Sequence, residues 1–382
     1  MRRYDFIVIG IGGMGGAALY HLAQRGVRVL GLERFSIGHD RGSSHGGTRI
    51  IRRAYFEHPA YVPLLIRAYH LWQELEAQTG QVLLHRCGLL VCGPADGAVV
   101  AGVRRSAREH GIVVEELTPE EAGSRFPGFS VSKELTVLLE PEAGFLRVEA
   151  CVRAHVMQAL ARGAELHEGE RVHRVTADGT GVVIETDNGR YSAAGAVICG
   201  GPYSGTLLAE LGLPLQVRRK LMFWYGVTEP AYRLERGCPT FAFDTPNGFF
   251  YGFPVHGPEG LKVAEHTGGA EVADPDMLDR SLRPGDEEPV RAFLVRHLPQ
   301  AAQAPLQAHE ACMYTMTPDE HFVIDRHPQH PQIVYAAGFS GHGFKFASVI
   351  GEVLADLAAS GRTSHPIAFL SAARLLGPSS GR

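Results

Sequence analysis

The sequence predicts an α/β chain that opens with a dinucleotide-binding βαβ unit and continues into a second unit with strands of its own. Three observations predict this. The chain has 382 residues, and length divided by about 150 points to two or so units. Residues 6–9, Phe-Ile-Val-Ile, are a short apolar run of the buried parallel-strand type. Gly10-Ile11-Gly12-Gly13-Met14-Gly15 follows at once and matches GxGxxG.

The elements around that motif come in the order its chemistry needs. Met14, Ala18, Leu19 and Leu22 share one face of a helix, and a second strand over 27–32 ends in Glu33. Gly10 suits the tight turn, Gly12 lets a pyrophosphate approach the backbone, and Gly15 lets helix and strand pack closely. The helix N-terminus then offers free N–H groups and partial positive charge to phosphates. Glu33 follows Gly12 by 33 − 12 = 21 positions, where an acid accepts hydrogen bonds from ribose hydroxyls. This order predicts a bound adenine dinucleotide without separating NAD from FAD.

Beyond Glu33 a nicotinamide dehydrogenase would usually begin its next βαβ unit. Here "RFSIGHDRGSSHGGTRIIRRAYFEHPAYVPL" reads instead as one long loop rich in Gly, Ser and His. A loop of this length in a compact domain usually serves a function. It runs into a helix on which Tyr61, Leu64, Leu65, Ala68, Leu71, Trp72 and Leu75 keep the helical period. Further on, 169–201 reads as strands ending in a Gly pair, and "FFYGFP" and "LKVAEH" read as strands of the second unit.

Composition removes other classes. The chain is 45% hydrophobic and 20% charged, which is ordinary for a globular protein. Net charge is −4 with no long basic block, so no nucleic-acid footprint is expected. The six cysteines are scattered, with no disulfide framework and no paired zinc-type spacing. That pattern suits a reducing compartment. Two arginines precede the first apolar run, as in a secretory signal, but Asp5 and several glycines interrupt it. No stretch is long and apolar enough to suggest a membrane span, and a soluble cytoplasmic protein is expected.

Two motifs near the C-terminus stand out. Lys345 follows Gly341-His342-Gly343-Phe344 and is expected to open a helix bearing Phe346, Val349, Ile350, Val353, Leu354 and Leu357 at helical period. A lysine there opposes the helix dipole, and such a local conflict favours a functional role. Cys312, in "ACMYTMTPDEHFVID", has no cysteine partner nearby; a small buried hydrophobe is the ordinary role for such a residue.

Four stretches together carry a resemblance: "GSSHGGTRIIR" (42–52), "GLKVAEHTGG" (260–269), "ACMYTMTPDEHFVID" (311–325) and "AAGFSGHGFKFASVIGEVLADL" (336–357). On them the chain resembles the monomeric sarcosine oxidase family, including N-methyltryptophan oxidase, within the glycine and D-amino-acid oxidase group. The resemblance implies an α/β and α+β architecture. A discontinuous Rossmann-type FAD domain would occupy 1–85, 146–217 and 325–382. A catalytic domain with a mainly antiparallel sheet would occupy 86–145 and 218–324.

It also implies FAD held covalently, as an 8α-S-cysteinyl thioether at Cys312. Besides Gly10, Gly12, Gly15 and Glu33, the cofactor would be contacted by Arg34, Ser44, His45, Thr48, Val172, Gly200, Gly338, Gly341, Gly343 and Lys345. Arg52, with a planar fork, and Lys345, with a point charge, would hold the substrate carboxylate; Tyr251 and Tyr314 would line its cavity. Lys262, His266, Arg49 and Tyr314 would serve catalysis, with Lys262 promoting reaction with oxygen. The chain departs from the family where Gly47 replaces an Asp and Glu265 an aromatic.

The implied activity is oxidation of N-methyl amino acids, sarcosine first, to the demethylated amino acid, formaldehyde and hydrogen peroxide. The implied state is a monomer acting on a small amino acid and O2. Alternatives are oxidation of N-methyltryptophan, proline or pipecolate, or fructosyl amino acids; a flavin dehydrogenase with another acceptor; and a dinucleotide-binding protein without turnover.

Overall fold

The computed structural model describes residues 3–177 and 179–376; the ends of the expected ranges, 1–2 and 377–382, lie outside the described residues. Among the described residues there are two eight-stranded sheets and one three-stranded sheet.

The first sheet grows around strand Arg3–Ile9, paired in parallel with Val29–Leu32 and with Gly189–Ile198. Residues 7–9, Val29–Leu32 and residues 195–198 are apolar and buried, as expected of parallel strands covered by helices. Gly189–Ile198 also carries Ile333–Ala337, parallel, at its C-terminal half and the strand Val182–Thr186, antiparallel, at its N-terminal half. Helix Gly13–Gln24 packs against helices Val148–Leu160 and Ala347–Ser360. A Cβ at Gly351 would stand 2.4 Å from Cβ of Ala17, so glycine is what lets two of these helices touch. Gly15 is tighter still, 1.8 Å between a built Cβ and the Gly10 carbonyl oxygen. That is the close helix–strand packing expected of the third glycine.

The second sheet is mainly antiparallel, and its core is aromatic, with Phe223, Phe241, Phe243, Phe250 and Phe293 buried together. One edge is the long strand Leu306–Met316, which pairs with the long inner strand Gln216–Tyr225, Lys220 standing opposite Cys312 and Arg218 opposite Tyr314. Strand Leu261–Glu265 flanks the inner strand, followed by Gly248–Phe253.

Local structure departs from the sequence reading in two places. The stretch after Glu33 is not one continuous loop: Thr48–Ile51 forms a strand paired with Gly144–Arg147 in the three-stranded sheet. The β-branched Thr48-Arg49-Ile50-Ile51 run carried that signal, but it is short and embedded among glycines. Lys345 sits in a single 3-10 turn, Phe344–Phe346, and the α-helix proper starts at Ala347. The lysine therefore stands just ahead of the helix rather than inside its first turn.

Candidate active site

One continuous cavity of ≈ 600 Å³ runs from the GxGxxG turn to the face of the second sheet. At its first end lie Gly10, Gly12, Glu33, Arg34, Ser44, Val172 and Gly200; at its other end are Arg49, Arg52, Tyr251, His266, Tyr314, Gly338, Gly341, Gly343 and Lys345. Gly15 is not in the wall and serves helix packing. His45, Thr48, Lys262 and Cys312 are buried just behind the wall.

The first end is built to receive an anion. Gly10, with φ +81°, turns the chain so that the helix over 13–24 points its N-terminus inward. At Gly12 the nearest atom to a built Cβ is Ser44 Oγ, at an ordinary contact distance of 3.5 Å. The Glu33 carboxylate accepts from the N–H groups of Ile11 at 2.7 Å and Phe35 at 2.9 Å, which fixes its orientation. A carboxylate has about four acceptor sites, so capacity remains for hydroxyls. Arg34 is engaged elsewhere: its fork pairs both oxygens of Asp276 at 2.8 and 2.9 Å. An elongated glycine-lined cavity beginning at a helix N-terminus with an acid beside it fits an adenine dinucleotide.

Behind the wall, Cys312 is buried beside two cationic groups. Arg49 Nη2 lies 3.5 Å from its sulfur, and the same guanidinium donates to the carbonyls of Thr48 and Ser43. Burial raises the thiol's pKa, but His45 and Arg49 outweigh it and bring it down to about 6. His45 is itself held up at about 9 against burial by Cys312 and by Glu310, whose carboxylate is 2.9 Å from Nδ1. The thiol is therefore mainly thiolate at neutral pH, the nucleophilic form.

Lys262 donates to Gly46 O at 2.6 Å, Thr48 O at 3.1 Å and Thr48 Oγ1 at 3.2 Å, with its Nζ over the Trp224 and Phe253 rings at 5.1 and 4.9 Å. Three oxygens match the three N–H groups of an ammonium. Burial, then Arg49, push its pKa well below the ordinary range.

At the sheet end, Tyr314 OH lies 3.3 Å from His266 Nδ1 and 3.5 Å from Tyr251 OH. Burial, then Lys220, lowers His266 to about 3, so the ring is neutral. Arg52 holds both oxygens of Glu57 at 2.7 Å and stacks over Tyr55 and Phe56 at 4.3 Å each. Lys345 donates to His342 O at 2.7 Å and lies over the same Tyr55 ring at 5.2 Å. Tyr55 is thus a shared platform for both cations. Burial, then Arg52, lowers Lys345 to about 7.

Sequence reasoning missed Glu57, Tyr55 and Thr315. Glu57 stays charged because Arg52, His342 and Lys345 bring it to about 2 despite burial. The Thr315 hydroxyl lines the cavity, buried and without a partner. None of the three carries a distinctive local pattern. At Gly47 a carboxylate does approach, from elsewhere: Glu149 accepts from its N–H with both oxygens at 3.2 Å.

The family model described as FAD dependent oxidoreductase matches residues 5–357. The chain belongs to the FAD dependent oxidoreductase family. Within that family it is 43% identical over 374 residues to a monomeric sarcosine oxidase from a Bacillus species, covering 97% of this chain and 95% of the relative. A monomeric sarcosine oxidase of Streptomyces avermitilis is also 43% identical, over 97% of this chain and 98% of its own. An N-methyl-L-tryptophan oxidase of Escherichia coli is 37% identical over 93% of this chain and 95% of its own. Among solved structures of this FAD dependent oxidoreductase fold, NikD, an unusual amino acid oxidase, superposes with a TM-score of 0.84 at 25% identity, covering 97% of this chain and 98% of that one. No helix among the described residues is long and apolar enough to cross a membrane.

Proposed function

We propose that the chain oxidises N-methyl amino acids, sarcosine first among them, to the demethylated amino acid and formaldehyde, with O2 converted to hydrogen peroxide. The observation that carries this reading is the pair of buried cations, Arg52 and Lys345, at the far end of a cavity that begins at the dinucleotide turn. The 40–43% identity to proteins named monomeric sarcosine oxidase supports it. FAD, when bound, supplies the two-electron acceptor.

In this reading Gly10, Gly12, Glu33, Ser44, Val172, Gly200, Gly338, Gly341 and Gly343 hold the cofactor, with His45 and Thr48 behind them and Cys312 as its covalent tether. Arg52 and Lys345 bind the substrate carboxylate. Tyr314, Tyr251 and neutral His266 shape the space around the amine and exclude water. Arg49 holds positive charge against the Cys312 sulfur, and Lys262, whose three oxygen acceptors oppose the burial that lowers its pKa, provides the buried cation that favours reaction with oxygen. The protein would work as a monomer in the cytoplasm on small molecules alone. The six free cysteines and relatives named monomeric support that setting.

The clamp has a pH signature. Lys345, lowered to about 7, carries its charge below that value and loses it above. The KM for sarcosine should therefore rise as pH climbs through about 7, by about 10- to 100-fold in the limit of one lost charged partner. In Lys345→Arg the charge persists and the rise should flatten; an unchanged profile in that variant would rule out Lys345 as the titrating partner.

A second reading concerns side-chain size. Ile50, Phe56, Leu89, Val91, Ala242 and Phe249 form an apolar wall of the same cavity, which favours a bulkier N-methyl amino acid. Peroxide production in air, without added acceptor, tests both readings across sarcosine, N-methylated apolar amino acids, cyclic imino acids and D-amino acids. Turnover that requires an added dye would refute an oxidase.

A further inference from the structure

Lys220 lies outside every role assigned above, yet it is buried beside the substrate end. It stands opposite Cys312 on the strand Gln216–Tyr225 and is 5% exposed. Its Nζ lies 5.2 Å from the centre of the Tyr314 ring. It donates to Thr267 O at 2.6 Å and Gly268 O at 3.0 Å, the two residues that follow His266. A Cβ at Gly269 would come 3.0 Å from the lysine Cδ, so the turn closes tightly on the lysine stem. The same turn is pinned at both ends, His266 N to Phe249 O at 2.7 Å and Arg219 N to Ala270 O at 2.8 Å.

Tyr314 is confined by a second neighbour. A Cβ at Gly341 would fall 2.2 Å from its Cε2 atom, so the ring rests directly on that backbone. Glycine packs against the ring, a cation lies near it, and the hydroxyl reaches His266 and Tyr251. A cation near a tyrosine face is attracted by the ring quadrupole, and more strongly when both are out of water.

We propose that Lys220 is a positioning residue: its ammonium ties the His266 turn to the Tyr314 ring and so fixes both side chains around the reacting end of the substrate. This rests on the reading of the cavity as an amino-acid oxidase site. Lys220 touches neither the cavity nor the carboxylate clamp, so it acts through its two neighbours.

The charged and titratable groups around it come from three elements. Arg218 lies on its own strand, Glu265 and His266 at the end of Leu261–Glu265, and Cys312 and Tyr314 on Leu306–Met316. Burial and Arg218 lower its pKa to about 8, against Glu265, which raises it. The brace is therefore complete below about pH 8 and weakens above it.

The test compares Lys220→Met and Lys220→Arg holoenzymes with the wild type on sarcosine. Lys220→Met should lose on the order of ten- to a hundredfold in kcat, while KM, set by Arg52 and Lys345, changes little. Wild-type kcat should fall as pH rises through about 8 and Lys220→Arg should lack that fall, because a guanidinium keeps its charge. Backbone hydrogen exchange over 266–270 should quicken in Lys220→Met and recover in Lys220→Arg. Unchanged kcat in Lys220→Met, or a wild-type alkaline fall retained in Lys220→Arg, overturns the proposal. If Lys220→Met does not fold, the pH profile of Lys220→Arg decides alone. A wild type inactive on every amino acid tested sinks the oxidase reading instead, and hydrogen exchange then decides whether Lys220 braces the turn.

Discussion

The Cys312→Ser variant is expected to release all of its flavin on denaturation, while the wild-type chain carries yellow colour through a denaturing gel. The physical basis is the ionisation of one buried thiol. His45 and Arg49 bring the Cys312 pKa down to about 6 against burial, which favours the thiolate, whereas a serine hydroxyl at that position stays protonated. The other buried cysteines are driven the opposite way: burial raises Cys92 and Cys199, the latter to about 12. Attachment should therefore be confined to one position. The pH sense follows from the same value. Thiolate is lost as pH falls through about 6, so tethering of FAD added to apoprotein should slow below that pH. Free FAD released from denatured wild type would refute the covalent assignment.

Lys262→Met should slow the reaction with oxygen by about 10²–10³-fold, the usual scale for removing one preorganised electrostatic group. The substrate half-reaction should lose far less, because Arg52, Lys345 and the tyrosine–histidine pair remain in place. The substitution also leaves Gly46 O and both Thr48 oxygens without their shared donor. Thr48 O keeps Arg49 as a donor and Gly46 O keeps the Thr48 N–H, so only the Thr48 hydroxyl loses its partner. One buried unsatisfied group costs about 1–3 kcal/mol, and a modest drop in melting temperature accompanies the kinetic loss. Stopped-flow measurement of the two half-reactions separates these effects. Equal losses in both would assign Lys262 to the structure of the Gly46–Thr48 segment and not to oxygen.

The part of the fold that the sequence made legible is the part with an obligatory order. Strand, glycine turn, helix, strand and Glu33 follow one another because a dinucleotide cradle admits few alternatives. The paired strands 248–253 and 261–265 were legible from their apolar and aromatic content. The strand Thr48–Ile51 was not, since its partner Gly144–Arg147 lies almost a hundred residues away and its own run is short. The site divides in the same way. A glycine-rich turn singled out Lys345, while Arg49 came only from the family resemblance. Glu57, Tyr55 and Lys220 owe their positions to contacts made across elements, Glu57 to Arg52, Tyr55 to both cations and Lys220 to the turn after His266. No local pattern marks such residues.

The strand Leu306–Met316 carries Cys312 and Tyr314 two residues apart, on the same face. The proposed tether of the cofactor and a wall of the substrate space are thus separated by one backbone repeat, about 7 Å. That distance is a ruler written into a single strand. Opening or closing the molecule elsewhere leaves it unchanged, because no hinge lies between the two residues. The placement of the Tyr314 wall relative to the proposed tether then depends on strand register rather than on how the two sheets are docked.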